Sequence, residues 1–393
     1  VTATYTARRD SAFLTEAVDE VCALAAEHAA GTDDRAEFPV AVLDALRETG
    51  LLGLLVPADH GGFGGGVEEL VDVGIALGRA DMSVAMIFTM HCQQVAAIVR
   101  HGDPDLCAAV LPEIAAGRMY LASVTTEAGK GGHLLTAESE LTARGGTLTV
   151  DRFAPIVTGG LHADGFLITM RSPGADSNHE VSLVFARRDQ LTVEVSGDWN
   201  PLGMRASHST ALRLTGTVPA DQIVGGPGLF NRVVLETFGP LAHLGWSAAW
   251  LGTAAGALSR VLRMLRSPEG RKNGALESEL LLTRLSRARQ RLDTVHALLR
   301  RTSATYARGE DMSRPSRQLL LNALKITASE ECYRAVEELV DAVGLRHGYL
   351  RGSPTGLERS LRDLRSASLN YSNDRLHLAD GRLALLDQEV RFA

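Results

Sequence analysis

Cysteine is scarce in this chain, and lysine is scarcer. Cys22, Cys92, Cys107 and Cys332 are scattered along 393 residues with no metal-ligand spacing. No disulfide framework or zinc site is implied, and free thiols in a reducing cytosol are the simplest account. Histidines are dispersed too, without a His-x-x-x-His pairing. Lys130, Lys272 and Lys325 are the only lysines, whereas arginine is abundant. That bias reads as GC-rich coding, not as phosphate chemistry. Positive charge is not in excess either, because the net charge is −7. A basic field for nucleic acid is therefore missing, and a solvated acidic surface is implied. No run approaches the roughly twenty apolar residues of a membrane helix. The stretch Val1 to Asp10 is polar and has no apolar signal core. A cytoplasmic protein without a membrane partner is the expectation.

What is present is apolar sequence, 45% of the chain, enough for two or three domains with a sizeable core. Helical spacing runs through Ala17 to Ala29, Phe38 to Leu46, Val67 to Gly78 and Ser83 to Val99. Asp103-Pro104 marks a cap with proline just inside a further helix, which ends near Gly117. The run His60-Gly61-Gly62-Phe63-Gly64-Gly65-Gly66 breaks the pattern. It lacks the Lys-Ser or Lys-Thr of a phosphate loop, so it reads as a structural turn. His91 reads as a packed or capped histidine, not a general base.

From Met119 to Gly226 the signal changes to short strands. They fall at Leu148 to Val150, Gly165 to Met170, Val181 to Ala186, Leu191 to Val195 and Leu212 to Val218. Pro219 cannot donate a ladder bond and suits the strand's end. Helix resumes near Phe230. Leu276, Leu280, Leu285, Ala288, Leu292, Val295 and Leu299 form one apolar stripe, and Leu319 to Val343 predicts another long helix. The fold class is thus mainly α with a central β domain, divided at 1–118, 119–226 and 227–393.

Two loops of the β region are crowded with small residues and hydroxyls. One runs Ser123-Val124-Thr125-Thr126-Glu127-Ala128-Gly129-Lys130-Gly131-Gly132-His133, the other Ile156-Val157-Thr158-Gly159-Gly160. They resemble the flavin-binding loops of the acyl-CoA dehydrogenase superfamily, and the likeness extends along nearly the whole chain. That resemblance implies a helical N-terminal domain, a middle β-barrel or sandwich and a C-terminal four-helix bundle. It also implies FAD, or else FMN or a transiently bound reduced flavin. Ser123, Thr125, Thr126, Gly132, Ile156 and Thr158 would then be cofactor contacts, with Thr158 near flavin N5. Ile156 stands where the family has tryptophan, and Gly132-His133 replaces a Ser-Asp that helps hold a thioester arm. Arg271 resembles the remnant of an arginine that holds the adenine half of FAD. Gly344 stands near a family glutamine, and Asn373 where a threonine touches the cofactor.

The family's dehydrogenases need a carboxylate base beside the substrate α carbon, in a site with little water. Counting from Arg362-Asp363-Leu364-Arg365 puts Tyr371 where that glutamate belongs. An alternative base position, on the first helix of the bundle, falls on Glu236, whose apolar neighbours favour burial. Two activities follow from the resemblance. One is α,β-dehydrogenation of an acyl thioester, on CoA or on an acyl-carrier protein, with Glu236 as base. It would act in a specialised, antibiotic-type biosynthetic pathway and use an electron-transfer partner. The other is a flavin monooxygenase that takes reduced flavin from a reductase and uses oxygen. A non-enzymatic scaffold is a third reading. A homodimer or homotetramer is implied, and no metal.

Overall fold

The computed structural model describes residues 11–129, 133–272, 277–386, 390 and 392. Gly132 and Leu276, both assigned roles from the sequence, lie outside these, as does Val1 to Asp10. Five helices come first: α1 (Ser11–Arg35), α2 (Val40–Glu48), α3 (Val67–Ala80), α4 (Met82–His101) and α5 (Pro104–Ala115). Their starts are chemically marked. Asp81 accepts the Val84 N–H at 3.0 Å, and Asp103 accepts the Asp105 N–H at 3.0 Å with Pro104 behind it. Contrary to the sequence reading, α4 is long and apolar enough to cross a membrane. However, 83% of its apolar window is buried inside the protein, which makes it a core helix. The glycine run is a turn folded onto the segment before it. Its Phe63, Gly64 and Gly65 N–H groups donate to the carbonyls of Gly53, Val56 and Leu54.

Eight strands follow: β1 (Leu121–Val124), β2 (Thr142–Arg144), β3 (Thr147–Ala154), β4 (Gly165–Arg171), β5 (Val181–Arg187), β6 (Leu191–Ser196), β7 (Ala211–Pro219) and β8 (Ile223–Val224). They make two four-stranded sheets, in the orders β1-β4-β5-β8 and β2-β3-β7-β6. The β1–β4 pair is parallel. Strand β3 runs four residues past its expected end at Val150. The sequence hid this because an arginine sits on the inward face: Leu148, Val150, Arg152 and Ala154 are all buried.

The C-terminal part comprises α6 (Phe230–Val233), a π-helical turn at Val234–Phe238, α7 (Gly239–Leu265), α8 (Pro268–Lys272), α9 (Glu279–Ala307), α10 (Pro315–Gly344), a second π-helical turn at Leu345–Tyr349, α11 (Leu357–Leu364) and α12 (Asn373–Ala384). On α9 the apolar stripe includes Leu281 in place of Leu280, which is 62% exposed. The run Leu280-Leu281-Leu282 leaves the first position open from sequence. Three- and four-residue steps back from Leu299 through Val295, Leu292, Ala288 and Leu285 select Leu281.

The largest hydrophobic cluster draws residues from all three parts. Helix α3 lies so close to α7 that a Cβ at Gly78 would come 2.4 Å from the Ala249 carbonyl, and one at Gly252 would come 2.2 Å from that of Ile75. At a second junction Arg362 of α11 pairs with Asp33 of α1, with contacts of 2.5 and 3.1 Å, and donates to the Leu202 carbonyl at 3.0 Å. Its neighbour Asp363 accepts the Met204 N–H at 2.6 Å. Burial, reinforced by the charge of Asp81, pushes Asp363 up to about 7.

Two buried polar fixtures hold the β region in place. The first is His91 on α4. Its Nδ1 accepts the Leu121 N–H at 3.0 Å, so its Nε2 carries the proton and donates to the Leu52 carbonyl at 2.9 Å. The ring ties α4 to the start of β1 and to the turn after α2, which is the packed role foreseen for it. Burial pushes its pKa down to about 4. The second is the ion pair between Arg152 on β3 and Glu127, whose side chains are 0% and 7% exposed. Glu127 also accepts from the Glu138 N–H at 3.0 Å, the Ser139 N–H at 2.9 Å and the Ser139 hydroxyl at 2.7 Å. Burial raises its pKa, but these donors and the Arg152 charge outweigh that and leave it below the usual carboxylate value.

Two stability measurements test these fixtures. Folded His91 stays neutral down to about pH 4, while the unfolded ring takes up its proton near 6.5. Its contribution is complete above pH 6.5 and is lost as pH falls through that window, by about 3 kcal/mol. A His91→Gln variant, followed by urea unfolding from pH 7 to 4, should show a slope shallower by one proton. An unchanged slope means the ring titrates normally. Glu127→Gln leaves a buried guanidinium without its counter-charge and should cost about 3–5 kcal/mol, much of it recovered by adding Arg152→Met. Wild-type stability in the single variant would show that the pair holds nothing.

Candidate functional site

The two hydroxyl-rich loops leave strands of different sheets, the first leaving β1 and the second β3. Thr126 joins them. Its hydroxyl donates to the Ile156 carbonyl at 2.9 Å and accepts the Ile156 N–H at 3.3 Å. Arg152 reinforces the junction by donating to the Thr126 carbonyl at 2.9 Å. The single proton of the Thr126 hydroxyl is therefore spent within the protein. Ser123 is buried on β1 opposite Leu167, and Thr125 is half-buried beside it. Ile156 holds its side chain outward, 50% exposed, although its backbone is tied down.

Thr158 is half-buried and stands at the head of a row of hydroxyls. Its Oγ1 lies 3.0 Å from Ser209 Oγ, which lies 2.8 Å from Ser207 Oγ, and Ser207 donates to the Met204 carbonyl at 2.8 Å. The Thr158 carbonyl accepts from the Tyr120 hydroxyl at 3.4 Å. In the same turn His208 Nδ1 and Thr210 Oγ1 are buried with no hydrogen-bond partner among the described residues.

A second set of polar atoms without partners among the described residues lies along one face of α7: His243 Nδ1, Trp246 Nε1, Ser247 Oγ and Trp250 Nε1. Spacings of three and four residues put them on one stripe. The Tyr371 ring centroid is 6.4 Å from that of His243. Lys325 of α10 holds the Tyr371 turn, donating to the Tyr371 carbonyl at 3.1 Å and to Asn373 Oδ1 at 2.7 Å. Its ammonium also lies 5.7 Å from the Trp250 ring centroid. Burial drives Lys325 down to about 7. Burial first, and then the Lys325 charge, drives His243 down to about 4, which leaves it neutral.

The remaining sequence-chosen residues are dispersed. Glu236 was expected to be buried. Its side chain is 39% exposed, lying 3.4 Å from Arg100 and 3.8 Å from Arg232. The π-helical turn that carries it buries Thr237 and Phe238 and leaves the carboxylate at the rim. Asn373 is turned inward, donating to Ser329 at 3.0 Å and to Glu330 at 3.2 Å while accepting from Lys325. Arg271 and Gly344 are exposed, on α8 and at the end of α10, and no contact joins either to the two loops among the described residues. Sequence reasoning missed Arg152, Ser207, Ser209 and Lys325. For Arg152 the signal was available, as a charge on the inward face of an alternating strand. The two serines carry no such mark.

Comparisons with known proteins fit this architecture. The family profile described as "Acyl-CoA dehydrogenase, N-terminal domain" matches residues 9–118, and "Acyl-CoA dehydrogenase, C-terminal domain" matches 232–370. The chain is 23% identical over 362 residues to a probable acyl-CoA dehydrogenase, fadE25, of Mycobacterium leprae (strain TN), covering 92% of this chain and 91% of that one. It is 28% identical over 362 residues to the amino sugar nitrososynthase DnmZ of Streptomyces peucetius, covering 86% and 84%. Its fold matches FMN-bound TdsC of Paenibacillus sp. A11-2, a dibenzothiophene monooxygenase, with a TM-score of 0.85 at 22% identity over 96% and 98% of the two chains. Helical domain, paired sheets and bundle, with both family profiles in register, place this chain in the acyl-CoA dehydrogenase superfamily of flavin-dependent enzymes.

Proposed function

We infer that the chain is a flavin-dependent monooxygenase of this superfamily, supplied with reduced flavin by a separate reductase and acting on a small molecule. The observation that carries this reading is the state of the two candidate base positions. Tyr371 stands at one, and at the other Glu236 is open to solvent between two arginines. A base beside an α carbon needs a dry site and a carboxylate, and neither position offers both. Oxygenation needs no such carboxylate. Its overall balance is substrate plus O2, two electrons and two protons, giving oxygenated substrate and water.

The residues present fit a flat group with an apolar face and polar edges. Ile156 offers an outward apolar side chain, and Thr158, His208 and Thr210 offer polar atoms with capacity to spare. FAD and FMN fit this description equally. A reduced flavin bound there would supply the two electrons. Thr158 would orient such a ring near N5, while Thr126 keeps the two loops at fixed spacing. Tyr371, 39% exposed, offers a phenol O–H where the family's dehydrogenases have their base. Lys325 fixes the backbone of that tyrosine, and neutral His243 backs its ring. Amines and sulfur heterocycles are the substrate classes to try, by likeness to the nitrososynthase and the monooxygenase. Dehydrogenation of a CoA or carrier-protein thioester is the second reading, favoured by the dehydrogenase relative that spans 92% of the chain.

One experiment separates the two. The protein is mixed anaerobically with reduced FMN or FAD and then with oxygen, with an amino sugar or dibenzothiophene as substrate. We expect oxygen uptake coupled to an oxygenated product, and a Glu236→Gln rate within about twofold of wild type. Loss of a true general base would cost ~10²–10⁴-fold. Tightly held oxidised flavin that acyl-CoA thioesters bleach without oxygen would establish the dehydrogenase instead.

A further inference from the structure

Counting protons in the hydroxyl row that ends at Thr158 gives it a direction. The row contains three hydroxyls, and hence three protons, and it makes three contacts. These are Thr158 Oγ1 to Ser209 Oγ at 3.0 Å, Ser209 Oγ to Ser207 Oγ at 2.8 Å, and Ser207 Oγ to the Met204 carbonyl at 2.8 Å. A carbonyl oxygen can only accept. The Ser207 proton is therefore committed to Met204. Ser207 Oγ must then accept from Ser209, and Ser209 Oγ must accept from Thr158. Ser207 and Ser209 are 2% and 4% exposed, so water cannot stand in for either partner. Met204 is held as well, by its own N–H to Asp363 at 2.6 Å, which fixes the sink of the row. Thr158 is left with lone pairs and no proton on its open side.

We propose that Ser207 and Ser209 are positioning residues that make Thr158 an obligate hydrogen-bond acceptor, so that the site selects the reduced over the oxidised flavin. This rests on the reading that a flavin ring lies against Thr158. N5 of the oxidised ring bears only a lone pair, which would face the lone pairs of Thr158. Two-electron reduction adds a proton at N5, and the resulting N–H is the donor that Thr158 lacks. One contact is repulsive in one redox state and a hydrogen bond in the other. A single neutral hydrogen bond against an unmade one corresponds to about a tenfold preference. The same polarity suits an enzyme that captures reduced flavin and releases it once oxidised.

The test is a pair of anaerobic titrations of the full-length protein with FMN and with dithionite-reduced FMN, followed by tryptophan fluorescence. Wild type should bind the reduced form at least about tenfold more tightly. Ser209→Ala frees the Thr158 proton to donate, and the ratio should fall to near one as the oxidised form gains affinity. Ser209→Thr keeps the row and should keep the ratio. Thr158→Val removes the contact and should also flatten it, which covers the case in which the alanine variant fails to fold. Equal affinities in wild type, or a ratio that Ser209→Ala leaves unchanged, overturn the proposal while leaving the flavin site standing. Failure of either form to bind wild type overturns the flavin reading and this proposal together.

Discussion

A full positive charge sits on the inward face of a β-strand with no water to solvate it, and the site is arranged around that constraint. Arg152 is fully buried on β3, and the carboxylate of Glu127 pairs with it. Leaving such a charge unpaired is far costlier than the net gain of the pair. The loop after β1 has to come to the arginine, and it brings Thr126 with it. Thr126 then meets the backbone of Ile156 at the end of β3, and the spacing of the two loops is set. What lies against both loops meets a surface already organised in its absence, as a binding site for a rigid ring requires.

The bundle contributes in a different way. One stripe of α7 carries buried polar atoms without partners among the described residues: a histidine nitrogen, two indole N–H groups and a serine hydroxyl. Buried unsatisfied groups are costly, and they concentrate where a ligand or a chemical role compensates. Lys325, buried beneath that stripe with its ammonium directed to the Tyr371 turn, ties the stripe to the last helices. The β region supplies a shaped wall of hydroxyls and one aliphatic side chain. The bundle holds Tyr371 in a turn tied down by a buried amine.

Much of this was legible in the amino-acid order, because periodicity and punctuation act locally. The helices before residue 118, the strand run beginning near 119 and the return to helix near 230 follow from the spacing of apolar residues and from the Asp-Pro and glycine marks. Errors arose where a local rule had two solutions. The sequence reading put Leu280 in the α9 stripe, whereas three- and four-residue steps back from Leu299 select its neighbour Leu281. Arg152 hid the second half of β3 because an inward arginine reads as a strand's end until its partner is known. Apolar neighbours of Glu236 suggested burial, yet the π-helical turn buries Thr237 and Phe238 and leaves the carboxylate at the rim.

The sequence by itself determined most of which segments are helix or strand and which loops are rich in hydroxyls. These depend on neighbours within a turn or two of the chain. Tertiary structure alone decided which hydroxyl has a proton to give. That Thr126 spends its proton on Ile156, and that Thr158 commits its own through Ser209 to Ser207, depends on residues 30 and 51 positions away. A hydroxyl's polarity is fixed by whichever acceptor the fold brings within about 3 Å, and no local pattern records that choice.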